Sequence, residues 1–111
     1  MNHRISFQKN TMTVFLQGEM DHHSARQIRE ITDGLIRQKH PRELRLDFSS
    51  VSFMDSSGIG LIMGRYRIMS LYDGVLRVVN VPEPLRKMMT LSGLDALDIT
   101  ERREKVYDRT E

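Results

Sequence analysis

The stretch Phe53-Met54-Asp55-Ser56-Ser57-Gly58-Ile59-Gly60 decides how this chain folds, because it joins a strand-like segment to a helix-like one. Before it, apolar and charged residues alternate across 44–48, which is the period of a half-buried strand. After it, apolar residues recur at the spacing of one helix face, at Ile59, Ile62, Met63, Tyr66 and Met69. A helix N-terminus carries unpaired backbone N–H groups and partial positive charge, so the two serines stand where a phosphate is favoured.

Length and composition predict one domain, residues 1–111, with a single core. The chain has no cysteine, which excludes disulfides and thiolate metal sites and fits a reducing cytoplasm. No apolar stretch follows Met1-Asn2-His3-Arg4, and no run approaches the roughly 20 apolar residues of a membrane span. We therefore expect neither a signal peptide nor a membrane partner.

The charge pattern argues against nucleic acid as a partner. Seventeen basic residues face fifteen acidic ones, a net charge of +2, and the two signs are interspersed along the chain. Nucleic-acid binding favours a clustered basic face with interleaved aromatic side chains. Here there are only four Phe and three Tyr, and no Trp.

The first half of the chain predicts two strands and a helix. Ile5 and Phe7 mark one strand, and residues 12–16 mark a second that pairs with it as a hairpin. Residues 18–23 break the alternation and predict a loop. Ser24 is followed three residues later by Gln27, the spacing of a capping box, so we expect a helix from Ser24 that ends before Pro41.

The second half predicts strands alternating with helices. A helix from Ser56 to about Tyr72 follows the strand at 44–48. Residues 75–81 are the most apolar strand and are expected at the centre of the sheet. A short helix from Pro82 ends at Gly93. Segment 96–100 is predicted as an edge strand, and 101–111 as a short helix or a frayed end.

This order, β-β-α-β-α-β-α-β(-α), predicts an α/β fold. Strands separated by helices imply crossover connections and a mainly parallel sheet, to which the first hairpin adds an antiparallel edge. We expect a mixed sheet of four or five strands flanked by helices.

Residue chemistry alone permits a structural interpretation of the Ser56 segment. Asp and Ser are preferred helix N-caps, in which case Gly58 and Gly60 would serve tight turning and Gly60 with Gly64 close packing. Catalytic loops fit poorly. A nucleophile elbow needs glycine two residues before the serine, and a P-loop needs lysine where Arg65 follows Gly64. The dinucleotide fingerprint lacks its third glycine.

The segment Asp21-His22-His23 suggests two further kinds of site. A metal site would need more ligands than adjacent side chains can direct at one ion. A Ser-His-Asp triad can be composed from Ser56, His22 and Asp21, but nothing in the sequence supplies an oxyanion hole or a substrate pocket. No metal, cofactor or catalytic residue is therefore predicted.

Most of the methionines stand at core spacing, among them Met63, Met69, Met88 and Met89. Met20 and Met54 differ because each adjoins one of the two segments singled out above. We expect both to be partly exposed at a contact surface.

The residues 18–25 and 52–60, followed by Gly64-Arg65-Tyr66, resemble the STAS-domain anti-sigma-factor antagonists, and among them the stage II sporulation protein AA type. The resemblance runs from Ile5 to about Ile99, and it also implies the mixed sheet flanked by helices. It implies a protein without catalysis of its own that binds an anti-sigma factor which is also a serine kinase. Binding frees the sigma factor, phosphorylation of the antagonist ends the complex, and a phosphatase reverses the modification.

The resemblance assigns roles to residues of this chain. The phosphorylated residue directly follows the aspartate and is therefore Ser56. We expect the partner-binding residues to be Asp21, His22, His23, Ser24, Met54, Asp55, Ser57, Gly58, Ile59 and Gly60. The Asp21–His23 segment should lie at the same end of the sheet as Ser56, because both leave a strand and enter a helix.

Several alternatives stay open at this stage. The antagonist could serve a general stress-response pathway rather than sporulation, although the Asp-His-His segment favours sporulation. A STAS module that regulates a transporter, or one that binds a nucleotide or small ligand at the Ser56 segment, belongs to a different functional class. We expect a cytoplasmic monomer.

Overall fold

The computed structural model describes residues 1–100. Four strands and three α-helices alternate along these residues, followed by a 3₁₀ helix at Leu94–Leu97. The strands are β1 (Asn2–Gln8), β2 (Thr11–Met20), β3 (Glu43–Met54) and β4 (Val75–Val79). The helices are α1 (His22–Lys39), α2 (Ser56–Leu71) and α3 (Glu83–Leu91).

The four strands form one mixed sheet in the order β1-β2-β3-β4. β1 and β2 are an antiparallel hairpin, and the pairs β2–β3 and β3–β4 are parallel. The predicted α/β architecture, with a parallel part and an antiparallel edge hairpin, is confirmed. Each parallel pair is connected through a helix, as parallel strands require.

One face of the sheet carries the core. Every second residue of β2 from Met12 to Leu16 is buried, and so are the residues of β3 and β4 that lie beside them in register. α1 packs on β2, α2 packs on β3 and β4, and the two helices contact each other. Their buried side chains include Ile28, Ile36, Ile62 and Met69. No helix within residues 1–100 is both long and apolar enough to span a bilayer.

β3 continues beyond the alternation at 44–48, and it gains one residue over β2 at each of two points. Phe15 pairs with Asp47 but Gln17 pairs with Ser50, and Gly18 pairs with Val51 but Glu19 pairs with Phe53. Each extra residue is a bulge that changes which face the following side chains meet. The inward residues are consequently spaced by three, at Phe48, Val51 and Met54, and all three are buried.

A carboxylate fixes the first of these irregularities. Oδ1 of Asp47 accepts hydrogen bonds from the backbone N–H of Ser49 at 2.9 Å and from its hydroxyl at 2.7 Å. Oδ2 accepts from the Asn80 amide, just after β4, at 2.8 Å. Burial alone would raise the pKa of Asp47, but these hydrogen bonds outweigh it and hold the pKa below its ordinary value of 3.8.

A buried arginine ties the two long helices together. Arg65 of α2 is 3% exposed. It forms an ion pair with Asp33 of α1 and donates to the Arg29 carbonyl at 2.9 Å and the Thr32 hydroxyl at 2.8 Å. Burial lowers the pKa of the Arg65 guanidinium, and Asp33 opposes that shift. The described polar contacts of the Arg65 side chain are all with α1, so it does not act as the lysine of a phosphate loop would.

Two predicted strand features are wrong. β4 is not central: it is the last of the four strands, and beyond it the described residues add only a single bridge from Val78 to Thr100. α2 packs on β4, and along the outer edge of β4 the Ile99 carbonyl accepts a hydrogen bond from the Val78 N–H at 2.8 Å. The predicted strand at 96–100 is instead the end of the 3₁₀ helix plus that bridge.

The start of α1 also differs from prediction. The helix begins at His22 with Asp21 as its N-cap, not at Ser24, and β2 extends to Met20 so that only Asp21 separates strand from helix. The ends of the other helices are confirmed. α2 stops at Leu71 before Asp73-Gly74, and α3 ends just before Gly93, whose positive φ of 83° terminates the segment. The prediction for 101–111 lies outside the described residues.

Candidate functional site

The carboxyl ends of β2 and β3 bring the two singled-out segments together. Met20 pairs with Met54 as the last residue of each strand. The Asp55 N–H then donates to the Met20 carbonyl at 3.2 Å, which continues the pairing by one step. Asp21 and Asp55 follow directly, and each opens a helix. The expectation that the Asp21–His23 segment and Ser56 share one end of the sheet is confirmed.

The two aspartates cap their helices in nearly the same backbone conformation. Asp21 has φ −101° and ψ −174°, and Asp55 has φ −103° and ψ −171°. Oδ1 of Asp21 accepts from the Ser24 N–H at 2.9 Å, and Oδ1 of Asp55 accepts from the Ser57 N–H at 2.8 Å. Both caps satisfy a donor that the helix itself cannot. We name the surface formed by 19–23, Phe53 and 55–60 the capped end.

The Asp21 carboxylate is held in its charged form. The hydrogen bond from the Ser24 backbone lowers the pKa of Asp21 most, followed by a bond from the Ser24 side chain, and these outweigh the effect of burial. A charge of His23 lowers it further. The capped end therefore presents an anionic cap beside Ser56 at neutral pH.

Ser56 is the first residue of α2 and is exposed. Its neighbour Ser57 is half-buried, and the Ser57 backbone N–H is occupied by the Asp55 cap. Of the two adjacent serines, Ser56 is thus the more exposed residue. Phosphate on this residue would sit at the positive end of the α2 dipole.

The remaining predicted contact residues divide by accessibility. Asp21, His22, His23 and Gly60 are exposed, whereas Asp55 and Ile59 are half-buried. Ser24, Met54 and Gly58 are buried. The first two groups can meet a partner directly; the third shapes the surface from beneath.

The expected exposure of Met20 and Met54 is wrong. They are 0% and 2% exposed, because the bulges of β3 keep both strands paired to their last residue and turn these side chains into the core. Gly58 lies against them: a Cβ at this position would overlap Cγ and Sδ of Met54 and come within 3.1 Å of Cγ of Met20. Glycine is needed here for close packing.

The structure therefore corrects the roles expected of the glycines. Gly58 and Gly60 lie inside α2 and form no turn. Around Gly60 and Gly64, nothing lies within 4 Å of where a Cβ would be, so neither is required for packing within residues 1–100. Gly60 is also exposed. Packing within residues 1–100 therefore does not explain why Gly60 is a glycine.

Sequence reasoning missed Phe53. Its side chain is 50% exposed at the end of β3, and Glu19, also exposed, lies beside it in register on β2. The signal that could have found it is the position next to Met54: adjacent strand residues face opposite sides, so if Met54 points inward, Phe53 points outward.

The geometry does not favour a small-ligand site, a metal site or a catalytic triad at the Ser56 segment. Two clefts, of about 860 and 400 Å³, are lined by residues of β1, β2 and β3 such as Arg4, Phe15 and Asp47, and neither is lined by the Ser56 segment. Within residues 1–100 no three His, Asp or Glu side chains converge as metal ligands. The Asp21 carboxylate caps α1 at Ser24, where a triad would need it to orient His22.

Comparison with known proteins agrees with this geometry. The anti-sigma F factor antagonist of Lysinibacillus sphaericus is 36% identical over 103 residues, covering 91% of this chain and 86% of that protein. The anti-sigma-B factor antagonist of Bacillus subtilis is 33% identical over 97 residues, covering 86% of this chain and 87% of that protein.

Solved structures of the anti-sigma factor antagonist SpoIIAA share the fold. The unphosphorylated form has a TM-score of 0.83 at 30% identity and covers 98% of this chain and 96% of its own. The phosphorylated form from Bacillus has a TM-score of 0.75 at 30% identity, with coverage of 99% and 100%. The STAS domain model matches residues 3–110. This chain belongs to the STAS domain family.

Proposed function

We propose that this protein is an anti-sigma-factor antagonist that is switched by phosphorylation of Ser56. The observation that carries the proposal is the exposed Ser56 at the first position of α2, directly after the Asp55 cap and at the same end of the sheet as the exposed Asp21–His23 segment. Relatives with this fold are named anti-sigma factor antagonists, and SpoIIAA has been solved both without and with phosphate.

In this proposal the unphosphorylated protein binds an anti-sigma factor through its capped end and thereby frees the sigma factor. The anti-sigma factor is also the serine kinase that modifies Ser56, and a separate phosphatase restores the binding form. The protein works in the cytoplasm as a monomer and is a substrate of these enzymes, with no catalysis of its own.

Elementary electrostatics is sufficient for such a switch. A phosphate on Ser56 adds nearly two negative charges. The partner holds a nucleotide whose γ-phosphate must reach the serine, so after transfer the phosphoserine faces the remaining phosphates. One like-charge contact at 4 Å costs about 4 kcal/mol at an effective dielectric near 20. That corresponds to roughly a thousandfold loss of affinity.

The same reasoning predicts little change of fold on phosphorylation. The α2 N-terminus stabilises an adjacent anion by about 0.3–1 kcal/mol, and the Asp55 carboxylate opposes it. The similarity of this chain to both forms of SpoIIAA supports a common fold for the two states. The switch would then act at the interface and not through rearrangement of the core.

The test uses purified anti-sigma F factor of Lysinibacillus sphaericus and anti-sigma-B factor of Bacillus subtilis as probes. Each is mixed with the protein and Mg-ATP, added phosphate is located by mass spectrometry, and complex formation is followed by calorimetry. We expect one phosphate on Ser56, loss of the complex once it is added, and tighter binding to the anti-sigma F factor. Ser56→Asp should weaken binding by at least about a hundredfold.

Two results would overturn this function. One is the absence of both binding and phosphorylation with either probe. The other is binding that Ser56→Asp or phosphorylation leaves unchanged. A nucleotide titration of the protein alone separates the ligand-binding alternative, because micromolar affinity would favour that function, whereas millimolar or absent affinity favours the interaction module.

A further inference from the structure

Phe53 is the large exposed apolar side chain of the capped end. The other large apolar side chains that residues 1–100 expose lie elsewhere: Phe7 at the end of β1, Leu71 and Tyr72 at the end of α2, Val75 at the start of β4, and Leu91 on α3. Phe7, Tyr72 and Val75 belong to the opposite end of the parallel strands. Phe53 alone among these stands three residues from Ser56.

Carboxylates are the nearest charged neighbours of Phe53 in register and along the chain, and the Met1 amino group lies close enough to Asp21 to help lower the pKa of that carboxyl. Glu19 lies beside it in register and is exposed, Asp21 is one residue past the end of β2, and Asp55 is two residues further along the chain. A partner that covers this end must therefore accommodate an aromatic ring bordered by carboxylates. The matching surface is an apolar pocket with a cationic side chain at its rim.

We infer that Phe53 is the apolar anchor by which the anti-sigma factor binds the capped end, with Glu19 meeting a basic group of that partner. This inference rests on the proposed function and extends its interface to the exposed side of β3. An aromatic side chain that enters a pocket loses little conformational freedom and excludes water from its surroundings, which is typical of interface residues that dominate affinity.

The anchor also explains how a single phosphate can act so strongly. Repulsion between like charges is weak where solvent surrounds them at the rim of an interface. The same repulsion costs several times more free energy in a contact from which water is excluded. A ring buried beside Ser56 removes water from that part of the contact. Phe53 therefore contributes to affinity and, separately, enlarges the effect of the phosphate.

The experiment is a double-mutant cycle with the anti-sigma F factor of Lysinibacillus sphaericus as the probe, measured by calorimetry. We expect Phe53→Ala to weaken binding at least about 30-fold and Phe53→Leu to weaken it less. In the Phe53→Ala background, Ser56→Asp should cost a smaller factor than in the wild type. Glu19→Lys should weaken binding by about tenfold at low salt, with a smaller effect at high salt.

The matched control is Phe7→Ala, because Phe7 is 42% exposed at the other end of the sheet. Its affinity should stay within threefold of the wild type, and thermal unfolding should confirm that each variant is folded. If Phe53→Ala binds within threefold of the wild type while Ser56→Asp abolishes the complex, the anchor is wrong and the proposed function stands. If Ser56→Asp binds normally, the proposed function itself has failed.

Discussion

At the scale of single residues, Asp21 and Asp55 each satisfy a structural need at the place where a partner would bind. Each carboxylate accepts a backbone N–H of the helix that it opens, and the two backbones have almost the same dihedral angles. A change at either position therefore disturbs the helix start as well as the surface. Effects of Asp21 or Asp55 substitutions on partner binding have to be separated from the loss of a cap.

Asp55→Ala should reduce the free energy of unfolding by about 1 kcal/mol, because the Ser57 N–H loses its acceptor at the start of α2. Asp55→Asn keeps an oxygen at the capping position and should recover most of that loss. Urea denaturation followed by circular dichroism measures both. If Asp55→Asn and Asp55→Ala were equally destabilised, the cap would not be what Asp55 contributes.

At the scale of elements, β3 shows both what the sequence could predict and where prediction had to fail. The alternation from Leu44 to Phe48 predicted a strand correctly, but the inward residues beyond Phe48 are three apart. Alternation cannot detect bulges, because each bulge depends on the partner strand and on bonds such as those between Asp47 and Ser49. The bulges explain why Met20 and Met54 are buried, whereas the predicted loop at 18–23 was also wrong because Asp21, and not Ser24, caps α1.

The Asp47 bonds predict a pH dependence of stability. The pKa of Asp47 is lowered in the folded protein, so its stabilising contribution is fully present well above pH 3.8 and is lost as the pH falls through the folded pKa. Between about pH 5 and pH 2.5, urea unfolding of the wild type should lose stability more steeply than unfolding of Asp47→Asn.

Ser49→Ala serves as the companion variant, since it removes one of the two Ser49 donors and leaves the carboxylate in place. Its pH dependence should lie between those of the wild type and Asp47→Asn. Equal slopes for all three proteins would mean that these hydrogen bonds do not couple the Asp47 charge to folding.

The contact between α1 and α2 depends on a buried charge. Removing one member of a buried ion pair leaves the other charge uncompensated, which typically lowers the free energy of unfolding by about 3–5 kcal/mol. We expect Arg65→Met to lower the free energy of unfolding by about 3 kcal/mol, near the lower limit of this range. The loss stays near that limit because the Asp33 side chain is 23% exposed and water can partly solvate its charge. The pair is also imperfect, because the Arg65 Nε is buried without an acceptor among residues 1–100.

The double variant Arg65→Met with Asp33→Leu should therefore recover much of the stability that Arg65→Met loses. Urea denaturation of the wild type, both single variants and the double variant gives the coupling energy between the two positions. Additive losses would show that Arg65 stabilises through its bonds to Arg29 and Thr32 and not through Asp33.

At the scale of the whole molecule, some residues of the capped end also hold the fold together, as Asp55 and Gly58 do, whereas Gly60 makes no contact that the fold requires. The sequence predicted the order of elements as far as α3 and the convergence of the two segments, because strand-helix connections in a parallel sheet leave little choice. It did not predict that β4 lies last in the sheet, since an apolar strand can be covered by a helix and an irregular segment as well as by neighbouring strands.

Two helical glycines can test whether a residue of the capped end serves recognition without serving the fold. Gly60 in α2 and Gly34 in α1 are both exposed, and nothing lies within 4 Å of where either Cβ would be. Alanine is favoured over glycine in a helix interior by up to about 1 kcal/mol. Gly60→Ala and Gly34→Ala should therefore both raise the free energy of unfolding, by about 0.5–1 kcal/mol.

Binding should distinguish them. Gly60 lies one turn beyond Ser56, where an added methyl group would stand between α2 and a closely packed partner, so Gly60→Ala should weaken the complex with the anti-sigma factor by about tenfold or more. Gly34 lies in the second half of α1, away from the capped end, so the Gly34→Ala variant should bind the anti-sigma factor as tightly as the wild type does. Unimpaired binding by Gly60→Ala would remove Gly60 from the proposed contact surface. Weakened binding by a protein that has become more stable could not be attributed to damage of the fold.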